Sequence, residues 1–545
     1  NMSKLLKIKN LNIEGYSDEK WMPIVNGIDL TLDRGEVLGL IGESGAGKST
    51  IGLASMGYTR PGCRIASGSI VFDGMELCGA SREIKRKIRG TRIAYVAQSA
   101  AASFNPAHRL IKQFAEAPIQ HGLMNFSEAE QKGIDIYRRL LLPDPEKIGY
   151  RYPHQVSGGQ LQRAMVAMAM ACQPEIIVFD EPTTALDVTT QIEVLAAIKH
   201  ITKQFNMAAI YITHDLAVVA QLADRIMVLR YGNLVEEGDA RQLLENPKEA
   251  YTRQLLSVRT FRKETDRDNN NGDVILRVQN VSASYTAKEI VLEDINVKIR
   301  RGQTVALVGE SGSGKSTLAR VITGLLPPLQ GKIFFKGQEL PPALKSRDRE
   351  SLRQMQMIYQ MPDTALNPRQ KIRKIIGRPL SFYFGMNGKE REGRIIELLE
   401  MIELSEKYIE RYPGELSGGE KQRICIARAL AANPSLIICD EVTSALDQLV
   451  AEEILKLLQR LQNNLGVSYL FITHDLATVK AISDEIVVML QGRIIEQGEK
   501  QEILTPPHHE YTELLLSSIP EMNPDWLDNL LAKRQATTGH NIKPP

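Results

Sequence analysis

Short, dense apolar runs that stop at a glycine or an acid recur along this chain. EVLGLI stops at Gly42 and QTVALV at Gly309, while IIVF stops at Asp180 and LIIC at Asp440. Runs of this length without polar alternation predict strands buried on both faces, as in a largely parallel sheet. STIGLASM and STLARVITGLL, which follow the first pair, predict helices. So do IDIYRRLLL and REGRIIELLEMIE, further along each half. Each half therefore predicts an α/β core that carries a mostly helical insert.

The pattern is written twice. GESGAGKST begins at Gly42 and GESGSGKST at Gly309. VSGGQLQR begins at Val156 and LSGGEKQR at Leu416. IIVFDEPTTALD ends at Asp187 and LIICDEVTSALD at Asp447. YITHDLA begins at Tyr211 and FITHDLA at Phe471. Glu181 and Glu441 lie 260 residues apart, a period too long for a solenoid and fit for a duplicated domain. The predicted boundaries are 1–257 for the first domain, with its helical insert at about 99–165, and 274–520 for the second, with its insert at about 361–425. The polar, Asn-rich stretch 258–273 reads as a linker. Residues 521–545 lose periodicity and read as a frayed tail.

Composition narrows the function classes. Lys plus Arg number 67 and Asp plus Glu 65, a net charge of +2, which argues against a large polyanion-binding face and so against nucleic acid as a partner. No apolar run approaches the roughly 18 residues of a membrane span, and NMSKLLKIKN lacks the apolar core of a secretory signal. The five cysteines, Cys63, Cys78, Cys172, Cys425 and Cys439, form no CxxC pair, so neither a zinc site nor a disulfide framework is expected.

The strongest chemical signal is GxxxxGK[ST], met by Gly42, Gly47, Lys48 and Ser49 and again by Gly309, Gly314, Lys315 and Ser316. Both copies sit between a predicted strand and a predicted helix, the context that a phosphate-cradling loop needs. Glycines let backbone N–H groups turn toward phosphate oxygens without a Cβ in the way. Lys48 and Lys315 would reach the β- and γ-phosphates, and Ser49 and Ser316 would ligate Mg²⁺. Ser44, Gly45 and Thr50, with Ser311, Gly312 and Thr317, complete the two nucleotide-binding loops.

Asp180 and Asp440 end apolar strands, where a carboxylate can hold the Mg²⁺ shell. Glu181 and Glu441 follow at once and suit a base that activates water. His214 and His474 each lie 33 residues after their Glu and can hydrogen-bond a γ-phosphate. Gln98 and Gln360 follow the short strands RIAYVA and MQMIY, from which an amide could reach the metal or the water. Ser157, Gly158, Gly159 and Gln160, and likewise Ser417, Gly418, Gly419 and Glu420, read as capping boxes that start helices. Their double glycines expose N–H groups at a positive helix end, a second anion site in each half. Tyr16 and Tyr285 precede the cradles and could stack on adenine, with Trp21 competing for the role of Tyr16.

The ordered set of phosphate loop, Gln loop, SGGQ-type signature, Asp-Glu strand end, ALD turn and THD motif resembles the ATP-binding-cassette (ABC) ATPases, twice over. The resemblance implies α/β P-loop NTPase domains in tandem, each a mixed β-sheet core with a helical subdomain, and it implies ATP and Mg²⁺ as ligands. It also implies two ATP sites formed head to tail, each cradle meeting the other half's signature, with Asp187 and Asp447 facing the same interface. Both halves keep their Glu, His and signature Ser, so two hydrolytic sites are expected, with no need of a second copy of the chain.

RYPHQVSGGQLQRAMVAMAMACQPEIIVFDEPTTALDVTTQ, FNPAHRL, LNPRQKI, AYTRQLL and EYTELLL are similar to the ATPases of dipeptide, oligopeptide and nickel importers. Val156 and Val442 depart from that pattern. Membership implies two integral membrane permease subunits, docking near Gln98–Arg109 and Gln360–Gln370, and an extracytoplasmic solute-binding protein. It implies a peripheral place on the cytoplasmic face of the plasma membrane. The competing reading is a soluble two-cassette ATPase acting on ribosomes or DNA.

Overall fold

A computed structural model describes residues 4–17, 19–184, 186–257, 272–286 and 289–538. Most of the predicted linker and the last residues of the tail lie outside them. The chain forms two compact units. One takes residues up to Leu186, Thr190–Ser257 and the chain from Pro520; the other takes Asp187–Thr189 and the segment ending at Ile519.

The first unit contains β1 (Leu6–Ser17), β2 (Lys20–Leu32), β3 (Val37–Ile41), β4 (Cys63–Phe72), β5 (Met75–Glu76), β6 (Ile93–Val96), β7 (Ile176–Asp180), β8 (Ala208–Ile212), β9 (Arg225–Arg230) and β10 (Asn233–Asp239). They make a four-stranded sheet in the order β2-β1-β4-β5 and a six-stranded sheet in the order β10-β9-β3-β8-β7-β6. β6, β7, β8, β3 and β9 run parallel, and β10 closes the edge antiparallel. The helix Lys48–Ala54 buries Ile51, Leu53 and Ala54 in a core shared by both sheets.

The second unit repeats this plan with β11 (Val274–Ala283), β12 (Leu292–Arg300), β13 (Thr304–Val308), β14 (Gln330–Phe335), β15 (Gln338–Glu339), β16 (Met355–Ile358), β17 (Leu436–Asp440), β18 (Ser468–Ile472), β19 (Glu485–Leu490) and β20 (Arg493–Glu499). Its sheets run β12-β11-β14-β15 and β16-β17-β18-β13-β19-β20. The register at the edge is the same in both units: Tyr95 opposes Val178 on β7, and Met357 opposes Ile438 on β17. Tyr95 and Met357 therefore occupy equivalent positions, each beside a strand that ends in an aspartate two residues later.

The inserts are helical. In the first, Leu110–Gln120 and Phe126–Arg139 pack through Phe114 and Tyr137, whose ring centroids are 5.8 Å apart. In the second, Ile372–Phe384 and Gly388–Met401 bury Ile376, Leu380, Ile395 and Leu399. The expected ends of the inserts, 165 and 425, fall inside the continuous helices Gly158–Met170 and Gly418–Leu430. These helices run from each insert into its core, so the seam has no loop.

The tail differs from the expectation of a frayed end. Trp526–Thr538 is a helix in the first unit, with Trp526, Leu527 and Leu530 buried. Gln221, 2% exposed, fixes it. Its Nε2 donates to the carbonyls of Glu521 (2.6 Å) and Asn523 (3.0 Å), and its Oε1 accepts from the Leu527 amide at 3.0 Å. Arg241 pairs with Asp525 and Lys199 with Asp528. The WLDNLL apolar pattern is too short to show a period, and its partner surface lies some 300 residues upstream.

Candidate functional site

Each cradle begins where a buried strand must turn sharply. Gly42 and Gly309 have φ 150° and 154°, and a Cβ there would lie 2.1 Å from the Leu229 carbonyl oxygen or 2.3 Å from that of Met489. No other residue fits. Gly47 and Gly314, at φ 90° and 101°, then launch the helices that begin with Lys48 and Lys315. Both lysines are 5% exposed. Lys48 Nζ donates to the carbonyls of Gly42 (2.7 Å) and Glu43 (2.9 Å). Lys315 Nζ donates to those of Gly309 (2.8 Å) and Glu310 (2.7 Å). In each unit the ammonium is thus held over the glycine loop by backbone carbonyls, the place from which a lysine can meet phosphate oxygens. Burial pushes Lys315 below the ordinary lysine range.

The strand-end acids meet these loops. Ser49 Oγ donates to Asp180 Oδ1 at 2.8 Å, and Ser316 Oγ to Asp440 Oδ1 at 3.0 Å. A hydroxyl that donates to a carboxylate presents its lone pairs outward. With the carboxylate oxygens they form a hard, all-oxygen donor set that suits Mg²⁺. Burial raises the Asp440 carboxyl above its usual range.

Glu181 and Glu441 adopt left-handed backbone, φ 49° and 50°, which costs a non-glycine residue about 1–3 kcal/mol. In both units that turn brings three predicted residues together. His214 Nδ1 lies 3.1 Å from Glu181 Oε1, and Gln98 Nε2 donates to Oε2 at 3.0 Å. His474 Nδ1 lies 3.2 Å from Glu441 Oε1, and Gln360 Nε2 donates to Oε2 at 2.7 Å.

The family model described as "ABC transporter" matches residues 25–184 and 292–444. The chain belongs to the ABC transporter family. A second model, "Oligopeptide/dipeptide transporter, C-terminal region", matches 235–280 and 495–543. The chain is 37% identical to the glutathione import ATP-binding proteins GsiA of Shigella boydii serotype 4 and of Escherichia coli K12, covering 95% of this chain and 90% of each of those. Among solved structures it resembles the archaeal ribosome recycling factor aABCE1, with a TM-score of 0.60 over 90% of both chains at 19% identity, a likeness of fold alone.

The acid–imidazole pairs of this ABC ATPase hold charge. Burial alone would raise the carboxyl of Glu181 and lower the imidazole of His214. The hydrogen bond and charge between them outweigh that, so the Glu181 carboxyl lies below its ordinary range and the His214 imidazole above. Glu441 and His474 behave likewise. Each pair therefore favours the carboxylate–imidazolium form over the neutral one, held at the tip of a buried strand.

The signature segments are capping boxes. Ser157 Oγ accepts from the Gln160 amide (3.3 Å) while Gln160 Oε1 accepts from the Ser157 amide (3.2 Å). Ser417 and Glu420 repeat this at 3.3 and 2.7 Å. The two glycines of each pair do different work. A Cβ on Gly159 would stand 2.0 Å from Thr190 Cγ2, and one on Gly419 2.4 Å from Val450 Cγ1, so these permit helix packing. A Cβ on Gly158 would meet nothing within 4 Å, so the space beside this first helical residue is open. Asp447 caps the helix Gln448–Leu465 by accepting from the Val450 amide at 3.1 Å, and Asp187 accepts from Thr189 Oγ1 at 2.7 Å.

The aromatic candidates separate. Tyr285 is brought to its cradle: its hydroxyl lies 3.2 Å from Thr317 Oγ1 and accepts from Arg320 at 3.1 Å, with the ring half-exposed. Tyr16 pairs across the sheet with Trp21, centroids 5.2 Å apart, and both rings stay exposed. Four participants were missed. The Tyr251 and Tyr511 hydroxyls accept the amides of Glu43 (3.4 Å) and Glu310 (2.8 Å), tying a late helix to each phosphate loop. Their signal was the AYTRQLL and EYTELLL pair, read only for its family likeness. The others are Tyr95, whose hydroxyl donates to Asp180 Oδ2, and Thr184, whose Oγ1 donates to Glu181 Oε2 at 3.1 Å.

Proposed function

We propose that this ABC ATPase is the motor of a membrane importer for short peptides or peptide-like solutes of glutathione's size. The observation that carries the hydrolytic reading is the twice-built cluster of Lys, Ser, Asp, Glu, His and Gln. The importer reading rests on the likeness to the glutathione import proteins along nearly the whole chain and on the peptide-transporter C-terminal match in each half. Among the described residues no helix is long and apolar enough to cross a membrane, and in this reading separate permease subunits carry the solute across.

Lys48 and Lys315 bind the β- and γ-phosphates, and the glycine loops supply N–H donors around them. Ser49 with Asp180, and Ser316 with Asp440, hold Mg²⁺. When bound, Mg²⁺ neutralises charge on the phosphate oxygens. Glu181 and Glu441 accept the proton of the attacking water, while His214 and His474 keep each carboxylate oriented. Gln98 and Gln360 connect the same carboxylates to the helical inserts. The N–H groups of Gly158 and Gly418, each at the start of a helix, serve as further phosphate donors.

Two permease subunits dock on the inserts, and an extracytoplasmic binding protein delivers the solute. A groove of about 610 Å³ lined by Arg109, Ile111, Ile119, Phe126 and Tyr150, and one of about 340 Å³ lined by Asn367, Gln370, Pro379, Phe382 and Arg428, offer such surfaces. They adjoin the loops after Gln98 and Gln360. The protein then sits peripherally on the cytoplasmic face. The test is the double substitution E181Q/E441Q, expected to abolish ATP turnover and to leave ATP binding intact. Turnover at the wild-type rate would reject the assignment of the bases. Recovery of the native protein with ribosomes and not with membranes would reject the importer.

A further inference from the structure

The two cassettes share the Lys, Ser, Asp, Glu, His and Gln of the cluster, yet their acidic pairs are not held alike. In the first cassette Asp180 accepts two hydroxyls: Ser49 on Oδ1 at 2.8 Å and Tyr95 on Oδ2. In the second, Ser316 donates to Asp440 Oδ1 at 3.0 Å, and the residue in the register of Tyr95 is Met357. A thioether has no proton to donate. The neighbouring glutamates repeat the contrast. Thr184 Oγ1 donates to the Glu181 carboxylate at 3.1 Å, whereas Ser444 Oγ turns back to the Glu441 carbonyl at 2.9 Å.

We propose that Tyr95 is a positioning residue for Asp180, and that it makes the first ATP site bind Mg·ATP at a lower Mg²⁺ concentration than the second. The inference rests on the ATP-site reading above and deepens it. A carboxylate held at one oxygen rotates about its Cβ–Cγ bond; held at both, it does not. Asp180 is 5% exposed, so water competes little for its second oxygen. With Tyr95 on Oδ2, the Asp180–Ser49 bond keeps one geometry, and the Ser49 lone pairs stay directed toward the phosphate loop. Groups of this kind, which orient a metal's ligands without touching the metal, commonly change metal affinity by about 10- to 100-fold when removed. Met357 leaves Asp440 with the serine bond and the freedom to turn, so part of the cost of ordering that carboxylate falls on metal binding itself. The two cassettes would then fill in sequence as Mg²⁺ rises, the first ahead of the second.

The experiment isolates one cradle at a time in the full chain. K315A leaves the first cradle and K48A the second. Binding of a fluorescent non-hydrolysable ATP analogue is followed as Mg²⁺ is titrated. The K315A protein is expected to reach half-saturation at lower Mg²⁺ than the K48A protein. Adding Y95F to K315A, which keeps the ring and its packing, is expected to raise that midpoint about tenfold. Adding M357Y to K48A is expected to lower the midpoint by a similar factor. Mn²⁺ paramagnetic resonance on the same variants reads the metal environment directly. A midpoint that Y95F leaves unmoved overturns the proposal, as does a Y95F change confined to unfolding temperature. Mg²⁺-dependent binding that survives K48A and K315A together would instead overturn the cradle reading, and the role of Tyr95 with it.

Discussion

The paired glycines of the signature segment look alike in sequence and should fail differently. At Gly159 an added methyl carbon would stand 2.0 Å from Thr190 Cγ2, about 1.5 Å inside the distance at which carbons rest. Overpacking of this size costs about 1–3 kcal/mol. The clash is with one methyl: the next nearest atoms, Thr190 Cβ and Oγ1, lie at 3.4 and 3.6 Å. G159A should therefore lower the urea midpoint of the first cassette, and T190S, which deletes that methyl and keeps the hydroxyl, should restore most of it. At Gly158 the added methyl meets nothing within 4 Å. G158A should leave stability unchanged or raise it by up to about 1 kcal/mol, the gain of alanine over glycine in a helix. Its effect should appear in turnover: alanine keeps the N–H, but the added methyl stands in the open space beside it where a phosphate would approach, and weakening one preorganised donor is worth a fall of about a hundredfold. Urea titrations and steady-state ATPase rates on G158A, G159A and G159A/T190S separate the two roles. A G158A protein as unstable as G159A would refute the packing argument. A G158A protein with wild-type turnover would refute the phosphate role.

The Glu–His bridges predict a pH dependence. Each imidazole lies above its ordinary value of 6.5 and each carboxyl below 4.5. The imidazole contribution is complete below 6.5 and is lost as pH rises through the raised value. The carboxylate contribution is complete above 4.5 and is lost as pH falls through the lowered value. The gap in unfolding temperature between wild type and H214Q/H474Q should therefore be widest between about pH 4.5 and 6.5; a gap that instead widens toward pH 9 would contradict the bridge. For the tail, Q221A removes the partner of two carbonyls and one amide, each worth about 1–3 kcal/mol when buried and unpaired. Amide hydrogen exchange across Trp526–Thr538 should speed up markedly, and protection equal to wild type would show that Gln221 is not the anchor.

What sequence could reveal follows from physical range. The strands β3, β7, β13 and β17 are buried throughout or nearly so, so their apolar runs leave little choice of structure. Each phosphate loop needs glycine for reasons internal to itself. Glu181, His214 and Gln98 come from three separate segments, yet a repeated spacing in the two halves made their meeting legible. Tyr95 and Thr184 gave no such signal, because each differs from its counterpart, Met357 or Ser444, and the repeat that exposed the other residues conceals these. The docking of Trp526 and Leu527 was hidden because its partner Gln221 reads as one more residue of an apolar helix. Gly159 was readable as a donor site but not as a packing site, since the methyl it avoids lies on another helix.

The place of the Trp526–Thr538 helix bears on how this chain can be divided. Its first unit is discontinuous: it is left at the linker and completed only by a segment that follows the whole second half. A ribosome that has finished the first ATPase half has made a body still missing its closing piece, with Gln221 facing solvent where carbonyls belong. Expression of residues 1–257 alone should yield a protein that is less stable and prone to self-association through that bare face. Supplying a peptide of the tail sequence in trans should correct it. A protease cut in the linker, by contrast, leaves each product holding part of the other's fold.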